Sequence, residues 1–235
     1  QAGVDAAVND GDEVVVSNGT YTLTGVITIS KAITVRGLTG NYADVIVDGD
    51  ATCKCFTINA GAVVSSLTVT NGNSDYGGGV RLNFGAISNC FIVGNRGIEG
   101  GGVFTFNGSP TGAVVRECTI VSNTASFGGG IEVYNGSSAS ISDCAIIRNV
   151  GTGSGGEGGI YASFAGYAFI SNCMVLANRG LDGGGGIWLN SGVIYGSTIS
   201  SNVGAAYAGM EMKSGTTVDC CIIGYNKSAG YSGGA

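Results

Sequence analysis

The sequence predicts an all-β solenoid, in which the chain winds into a coil of short, stacked strands. Three observations support this fold class: a repeat of 24 to 29 residues, an alternation of apolar side chains within each copy, and a block of glycines between copies. A repeat of that length is typical of solenoids. The glycines, 45 in 235 residues, therefore belong to a regular architecture.

The repeat is clearest in a six-residue motif such as Cys118-TIVS-Asn123, which begins with cysteine or serine and ends with asparagine. The copies end at Asn71, Asn95, Asn123, Asn149, Asn178, Asn202 and Asn226. Five copies begin at Cys90, Cys118, Cys144, Cys173 and Cys221, and one begins at Ser197. Because a catalytic or metal site normally needs one copy whereas architecture repeats, we interpret these residues as a structural ladder.

Within each copy the apolar residues alternate with a period of two, as in Val80 and Leu82 or Ile131 and Val133. This period indicates strands. No helix-length apolar pattern separates the copies, which excludes βαβ units. A coil with about three short strands per turn remains, with successive rungs about 4.8 Å apart.

In such a coil, equivalent residues lie above one another on successive rungs. The Ile, Val and Cys positions then form inward columns that pack like on like. Each asparagine occupies a bend, where its amide can bond its own backbone and the asparagine one rung away. Glycines are expected to supply the positive φ and the close backbone approach at the sharp bends.

Two motifs extend this prediction to a known superfamily. The elements Gly128-GG-Ile131 and Ile120-VS-Asn123, with the opening VDAAVNDGDEVVVSNGTYT, resemble the right-handed parallel β-helix proteins, which include pectate lyases and many bacterial surface proteins. The elements are closest to repeats of the polymorphic outer membrane protein type, with an aliphatic residue in place of Phe and a third Gly in place of Ala. The resemblance implies one right-handed, single-stranded parallel β-helix of eight to nine rungs. Residues 1–60 would form a short capping helix and the first rungs, and residues 61–235 the repeats.

Composition restricts the partners and the location. Net charge is -6 and the ten basic residues are scattered, which argues against nucleic acid and anionic membranes as partners. No apolar run of about 18 residues exists, so we expect no membrane span. A charged fraction of 11% with abundant Ser, Thr, Asn and Gly favours an extracellular or cell-surface location. In that location Asn18, Asn135 and Asn226 would be glycosylation acceptors.

The eight cysteines divide into two groups. Those of the ladder point the same way on neighbouring rungs, which disfavours the disulfide torsion of about 90°, so we expect free buried thiols. Three cysteines lie outside the ladder and are the candidates for disulfides within or between molecules: Cys53, Cys55 and Cys220.

The residues give little support for catalysis. There is no histidine, which excludes Ser-His-Asp and Cys-His machinery and any zinc site with histidine. We therefore expect no metal, no cofactor and no catalytic residue. The lyases that the chain resembles need clustered carboxylates for calcium and a basic residue. The candidates here are Asp44, Asp48, Asp50 and Arg36, and we expect them at a strand edge and a turn.

Outward positions after the glycine blocks predict a candidate binding face on which aromatic residues line up, beside Arg81, Glu132 and Glu211. Its aromatic members are Phe104, Phe106, Tyr134, Tyr161 and Trp188. Aromatic rings beside single charges suit sugars or proteins. The alternative is that aromatic residues simply favour strands.

A second outward set is apolar and predicts an assembly interface: Val93, Val121, Ile147, Met174 and Leu176. The last residues, YSGGA, match the first part of another rung, so we also expect head-to-tail stacking into fibres, with Cys220 facing Cys53 or Cys55 of a neighbour.

Together these patterns favour a non-catalytic extracellular protein that acts in adhesion or self-assembly. The alternative is a carbohydrate-active β-helix, either a polysaccharide lyase or a glycan-binding module.

Overall fold

The computed structural model describes residues 1–106, 112–134 and 136–229, and the backbone alone of residue 164. It confirms the predicted fold class, an all-β parallel solenoid of about eight turns that begins with a short helix, Ala2–Ala6. A 3-10 helix covers Tyr42–Asp44. Every strand pairing between neighbouring rungs in the described residues is parallel, as in the register of Val80 with Val103.

The strands form four stacks, which we number in the order in which the chain passes through them. Stack 1 contains Glu13–Val16, Thr34–Gly37, Ala62–Ser65, Gly85–Ser88, Ala113–Arg116, Ser138–Ser142 and Thr216–Asp219. Stack 2 contains Gly19–Thr22, Val45–Asp48, Thr68–Thr70, Phe91–Val93, Thr119–Val121, Ala145–Ile147, Met174–Leu176, Thr198–Ser200 and Ile222–Gly224. Stack 3 contains Asn73–Tyr76, Arg96–Glu99, Thr124–Ala125, Val150–Ser154, Arg179–Asp182, Val203–Gly204 and Lys227–Ser228. Stack 4 contains Ile27–Ile29, Phe56–Ile58, Val80–Leu82, Val103–Thr105, Ile131–Val133 and Met210–Met212.

Two long strands, Ile160–Ser171 and Ile187–Tyr195, run through stack 4 and into stack 1. They join these two stacks into one 15-stranded sheet, beside a nine-stranded sheet from stack 2 and a seven-stranded sheet from stack 3. The coil therefore has three sheets, and most turns contribute two separate strands to the largest of them.

The core follows from the period-2 alternation. Inward residues of the strands, such as Val80, Leu82, Ile120 and Ile146, have no exposed surface. Parallel register places each one on its equivalent in the next rung, as Ile120 on Ile146. Each rung thus buries apolar area against the rung below and the rung above, which is how a solenoid builds its core.

Six asparagines form a ladder of hydrogen bonds along one corner of the coil: Asn95, Asn123, Asn149, Asn178, Asn202 and Asn226. The Oδ1 atom of each later member accepts bonds from the backbone N–H and the Nδ2 atom of the member before it, at 2.9 to 3.0 Å. Asn71 departs from the prediction, because its Nδ2 atom donates to Asp48 and Gly72 stands at the ladder position, with its N–H bonded to Asn95.

The corner before each cysteine of the ladder has a positive φ, but the residue there is rarely glycine. Asn89, Glu117, Asp143 and Asn172 adopt φ values of 47°, 54°, 55° and 52°. Non-glycine residues in this left-handed region are uncommon. The expectation that glycines supply the positive φ was therefore wrong at these corners, where the stacked rungs hold side chains in the left-handed region.

All eight cysteines are free. Each ladder thiol bonds a carbonyl two residues earlier, as Cys118 Sγ does to Arg116 O at 3.1 Å. Contacts with the neighbouring thiols together with burial raise the pKa values of Cys144 and Cys173, which keeps these thiols protonated.

The three cysteines outside the ladder differ in accessibility. Cys55 has no exposed surface, and burial raises its pKa to about 12. Its sulfur cannot meet a second molecule, so the prediction of a bridge between molecules through Cys55 was wrong. Cys53 is half-buried and Cys220 is exposed. About six rungs separate them, roughly 30 Å at the spacing of parallel strands, which excludes a bridge between these two within one molecule.

Candidate functional site

The outward face of stack 4 carries most of the aromatic side chains that the sequence singled out. Strand register aligns one outward column, in the order Arg81, Phe104, Glu132, Tyr161, Trp188 and Glu211. Phe106 and Tyr134 lie beside this column and contact each other. The five predicted aromatic residues therefore share one face of a rigid sheet.

The rings form two clusters on this face. The lower cluster contains Tyr76, Phe104, Phe106 and Tyr134, with ring centroids 5.4 to 6.4 Å apart. The Arg81 guanidinium lies 5.5 Å from the centre of the Phe106 ring. These five side chains line a shallow depression of about 200 Å³.

The upper cluster contains Phe127, Tyr161 and Trp188. The Tyr161 ring lies 5.6 Å from that of Phe127 and 5.0 Å from that of Trp188. The Lys213 ammonium lies 5.9 Å from the centre of the Trp188 ring and bonds Glu211 at 2.5 Å. Each cluster therefore has a basic side chain over one of its rings.

Glu132 lies in the outward column between the two clusters, and Glu99 and Glu157 belong to the adjoining glycine corners. We call these three residues the carboxyl stack. Glu132 is 1% exposed and Glu157 is 2% exposed. The Oε2 atom of each of the three is buried and has no hydrogen-bond partner.

The glycine blocks explain how these carboxyl groups come to be buried. Gly128 has a φ of +57°, and a Cβ atom there would lie 2.9 Å from Glu132 Cβ. The chain thus turns back so tightly that Glu132 packs against the corner before its own strand. In the next rung Glu157 occupies a position that is glycine in the rungs on either side. Two backbone hydrogen bonds establish this alignment: the N–H of Gly129 donates to Glu157 O, and the N–H of Gly158 donates to Gly184 O.

Burial changes the acidity of this face. Desolvation, followed by the negative charge of Glu99, raises the pKa of Glu132 to about 9. Desolvation raises the pKa of Glu157 to about 8, and it also raises the pKa of Glu99. Desolvation together with Glu157 raises the pKa of Tyr161 to about 12. These pKa values favour the neutral form of Glu132 and Glu157 at pH 7, whereas for Glu99 only the upward direction of the pKa shift is established.

The sequence prediction missed four residues of this face: Tyr76, Glu99, Phe127 and Glu157. A signal was present, because Tyr76, Glu99 and Phe127 immediately precede glycine blocks of the form GGG. Aligning the copies on their glycines as well as on asparagine would have placed these side chains beside the outward column.

The predicted assembly residues lie on stack 2. Register places Val93, Val121, Ile147 and Leu176 in one outward column of half-buried side chains. Met174 lies in the adjacent outward column, beside Ala145 and Thr119, and is 48% exposed.

The residues considered for a lyase site are not brought together. Arg36 pairs with Glu13 at 2.6 Å, and Asp48 accepts bonds from Asn71 and from the N–H of Asp50. Asp44 accepts a bond from Thr39. Within residues 1–106, 112–134 and 136–229, no three Asp, Glu or Cys side chains are placed to hold a metal ion.

The predicted glycosylation acceptors differ in accessibility. Asn18 is exposed, whereas the Nδ2 atom of Asn226 donates to Ile199 O as part of the asparagine ladder. Asn135 lies outside the described residues, as do the final residues 230–235. No helix in the described part of the chain is long and apolar enough to cross a membrane.

Comparison with known proteins agrees with this architecture. A family model described as a right-handed β-helix region matches residues 109–234. The crystal structure of a pectin methylesterase from Aspergillus niger, in deglycosylated form, is similar with a TM-score of 0.56 and 16% sequence identity. The similarity covers 99% of this chain and 85% of that one, and at such an identity it shows the fold alone. No curated protein matches the sequence.

Proposed function

The chain belongs to the family of right-handed β-helix regions, and from that premise we propose that it is an extracellular, non-catalytic adhesion module that binds carbohydrate through its aromatic face. One fold serves many functions, so the proposal depends on the site. The observation that carries it is the pair of ring clusters, in which seven aromatic side chains contact one another along the outward face of stack 4 and its adjoining corners.

Aromatic rings with a polar edge provide large apolar area for the C–H faces of sugars, and nearby polar groups fix their orientation. The half-buried rings of Tyr134, Tyr161 and Trp188 offer such area. Asn83 and Asn190 each stand two residues after a member of the outward column, as Phe106 and Tyr134 do, and supply amide groups. Nucleic acid bases also stack on rings, but a net charge of -6 disfavours that class of ligand.

The similar solved structure is named as a pectin methylesterase, so polysaccharides are the first ligand class to test. The chain has one tryptophan, and it lies in the upper cluster, so its fluorescence reports binding directly. We expect saturable changes in Trp188 emission with one class among xylo-, gluco- and galacturono-oligosaccharides. Calorimetry of the same mixtures provides an independent measurement.

The variants Tyr134→Ala and Phe106→Ala should weaken this binding at least tenfold. The matched control is Tyr225→Ala, because Tyr225 is 93% exposed and makes no ring contact within the described residues. If no oligosaccharide class gives a heat signal or a change in emission at millimolar concentration, the proposed function is wrong.

Self-association is a second candidate, supported by the apolar column on stack 2. Its half-buried members Val121 and Ile147 present apolar surface across successive rungs, and Met174 adds exposed area beside them. Sedimentation velocity at increasing concentration tests it, with electron microscopy for fibres. We expect Val121→Lys to abolish association and Val114→Lys, on the outward face of stack 1, to preserve it. A monomer at all concentrations would contradict this candidate.

A further inference from the structure

The carboxyl stack lies where the two ring clusters of the face meet. Glu132 separates Phe104 of the lower cluster from Tyr161 of the upper cluster in the outward column. Its side chain is fully packed, with the Oε2 atom out of contact with solvent and without a partner. A backbone hydrogen bond from Gly100 lowers the pKa of Glu132, but desolvation raises it by more, so this position favours the neutral form, since burying a charge is costly.

Among the described residues, the charged and titratable groups around Glu132 do not include a compensating cation. Glu99 and Glu157 face it from the two glycine corners, Tyr161 faces it from the next rung, and Glu211 lies further along the face. The basic groups at the face are engaged elsewhere, and one of them, Lys54, donates to Tyr76 O at 2.6 Å. Lys213 pairs with Glu211, and Arg81 donates to Asn83 at 3.0 Å while lying over Phe106.

From this geometry we infer that the carboxyl stack is a proton-dependent joint, meaning the contact through which the two ring clusters of the binding face meet. When the carboxyls are neutral, the two ring clusters form one continuous surface. When the carboxyls are ionised, water enters between the clusters. The inference is about regulation of the carbohydrate site and rests on the proposed function for its effect on binding. The joint itself is a property of the free protein.

Ionisation would place two or three like charges on adjoining rungs in a dry site, and repulsion and hydration would both favour moving them outward. Phe104 and Tyr161 flank Glu132 in the outward column, and the Phe127 ring is stacked on Tyr161, so these rings would have to shift for water to reach the Glu132 carboxyl. A ligand that spans both clusters would then lose part of its contact surface.

The first experiment uses the free protein. Trp188 emission is followed from pH 6 to pH 9, a range in which tyrosines with the ordinary pKa of about 10 stay mostly protonated, and the glutamate carboxyl signals are followed by carbon-13 NMR. We expect an emission change with a midpoint between pH 8 and 9 and coincident titration of two carboxyls. In the double variant Glu132→Gln/Glu157→Gln, whose amides mimic the neutral acids, the emission change should vanish and the two titrating carboxyl signals should be absent.

Glu117→Gln is the matched control, because Glu117 is exposed and lies on a different corner. It should leave the emission change intact. The inference is overturned if all glutamate carboxyls titrate near pH 4 to 5, or if the double variant retains the emission change.

The second experiment measures the affinity for the bound oligosaccharide at pH 6 and pH 9.5. The natural sequence should bind at least tenfold more weakly at pH 9.5, whereas the double variant should change less than twofold. Equal pH dependence in both proteins would contradict regulation by the stack. If no carbohydrate binds, the proposed function is wrong but the inference about the carboxyl stack is still tested, because the first experiment uses the free protein without a ligand.

Discussion

At the residue scale, Asn149 shows why the ladder positions are asparagine. Its Oδ1 atom accepts from the backbone N–H and the Nδ2 atom of Asn123, and its own Nδ2 atom donates to Ile120 O and to Asn178 Oδ1. All of these groups are buried, and the asparagine amide is a short side chain that can accept two bonds and donate two at this corner, which a hydroxyl cannot.

We expect Asn149→Ala to lower the free energy of unfolding by about 3 to 5 kcal/mol, because each buried group left without a partner costs about 1 to 3 kcal/mol. Asn73→Ala is the control: its exposed amide donates a single bond to Ala51 O, and we expect a loss below about 1 kcal/mol. Urea unfolding followed by circular dichroism measures both. Equal losses would show that the ladder bonds add nothing beyond a surface contact.

The cysteines allow a second test at this scale. Cys90, Cys118, Cys144 and Cys173 are buried, and the thiolate form needed for reaction is disfavoured where burial raises the pKa. We expect the folded protein to react with a thiol reagent at the exposed Cys220 and the half-buried Cys53 and Cys221, and at the five buried cysteines only after unfolding. Mass spectrometry of the labelled peptides identifies the sites. Rapid labelling of Cys144 in the folded state would contradict the packed thiol column.

At the element scale, the glycine corners set the start of each stack 4 strand. Gly128 combines a positive φ with close approach, since a Cβ atom there would lie 2.5 Å from Ile131 O. Gly136 has a φ of +74°, but no atom of the described residues lies within 4 Å of the same hypothetical Cβ. Alanine at Gly136 therefore measures the loss in the free energy of unfolding that the backbone conformation causes, and alanine at Gly128 measures that loss with steric overlap added.

We expect Gly136→Ala to cost about 1 to 2 kcal/mol, the usual penalty for alanine in the left-handed region. Gly128→Ala should cost more than about 3 kcal/mol, because overlap with Ile131 and Glu132 adds to that penalty. Thermal unfolding of the two variants measures the difference. Similar losses would show that the corner relaxes to make room for a side chain.

The elements also show what the sequence could predict. The repeat of asparagine and cysteine was sufficient for the coil, the inward columns and the shared aromatic face, because stacking in register turns a sequence period into a spatial column. Non-glycine residues such as Glu117 at left-handed corners could not be predicted, since the tertiary stack overrides the local preference of the residue. The burial of Glu132 could not be predicted either. Alternation places Glu132 on the outward side of its strand, and its side chain is buried because the glycine corner before that strand folds back on it.

At the scale of the whole molecule, each rung contacts only its neighbours, so stability is approximately a sum over rungs and interfaces. A local defect therefore acts on a few rungs at first. The carboxyl stack spans adjoining rungs in the middle of the coil, at Val103–Thr105, Ile131–Val133 and the start of Ile160–Ser171. Its protonation should consequently affect the central part of the solenoid, where unfolding of one rung exposes the core of two others.

This placement predicts how stability depends on pH. The pKa of Glu132 rises from 4.5 to about 9 on folding, and that of Glu157 to about 8, so between these limits the folded state binds more protons than the unfolded state. The free energy of unfolding therefore decreases as pH rises from about 4.5 to about 9. The shifts at Asp12 and Glu13 have the opposite sign and act only at lower pH, because their folded pKa values are lowered.

We expect the melting temperature to fall by more than about 5 °C between pH 5 and pH 8, since about 1 kcal/mol corresponds to roughly 2 to 4 °C in a chain of this size. Glu132→Gln/Glu157→Gln should melt at nearly the same temperature at both pH values and above the natural sequence at pH 8, because the amides never ionise. Calorimetry at constant ionic strength measures this, with Glu117→Gln as the control that keeps the full decrease. A natural sequence that is more stable at pH 8 than at pH 5 would show that these carboxyls are ionised in the folded protein, and that the face is negatively charged at neutral pH.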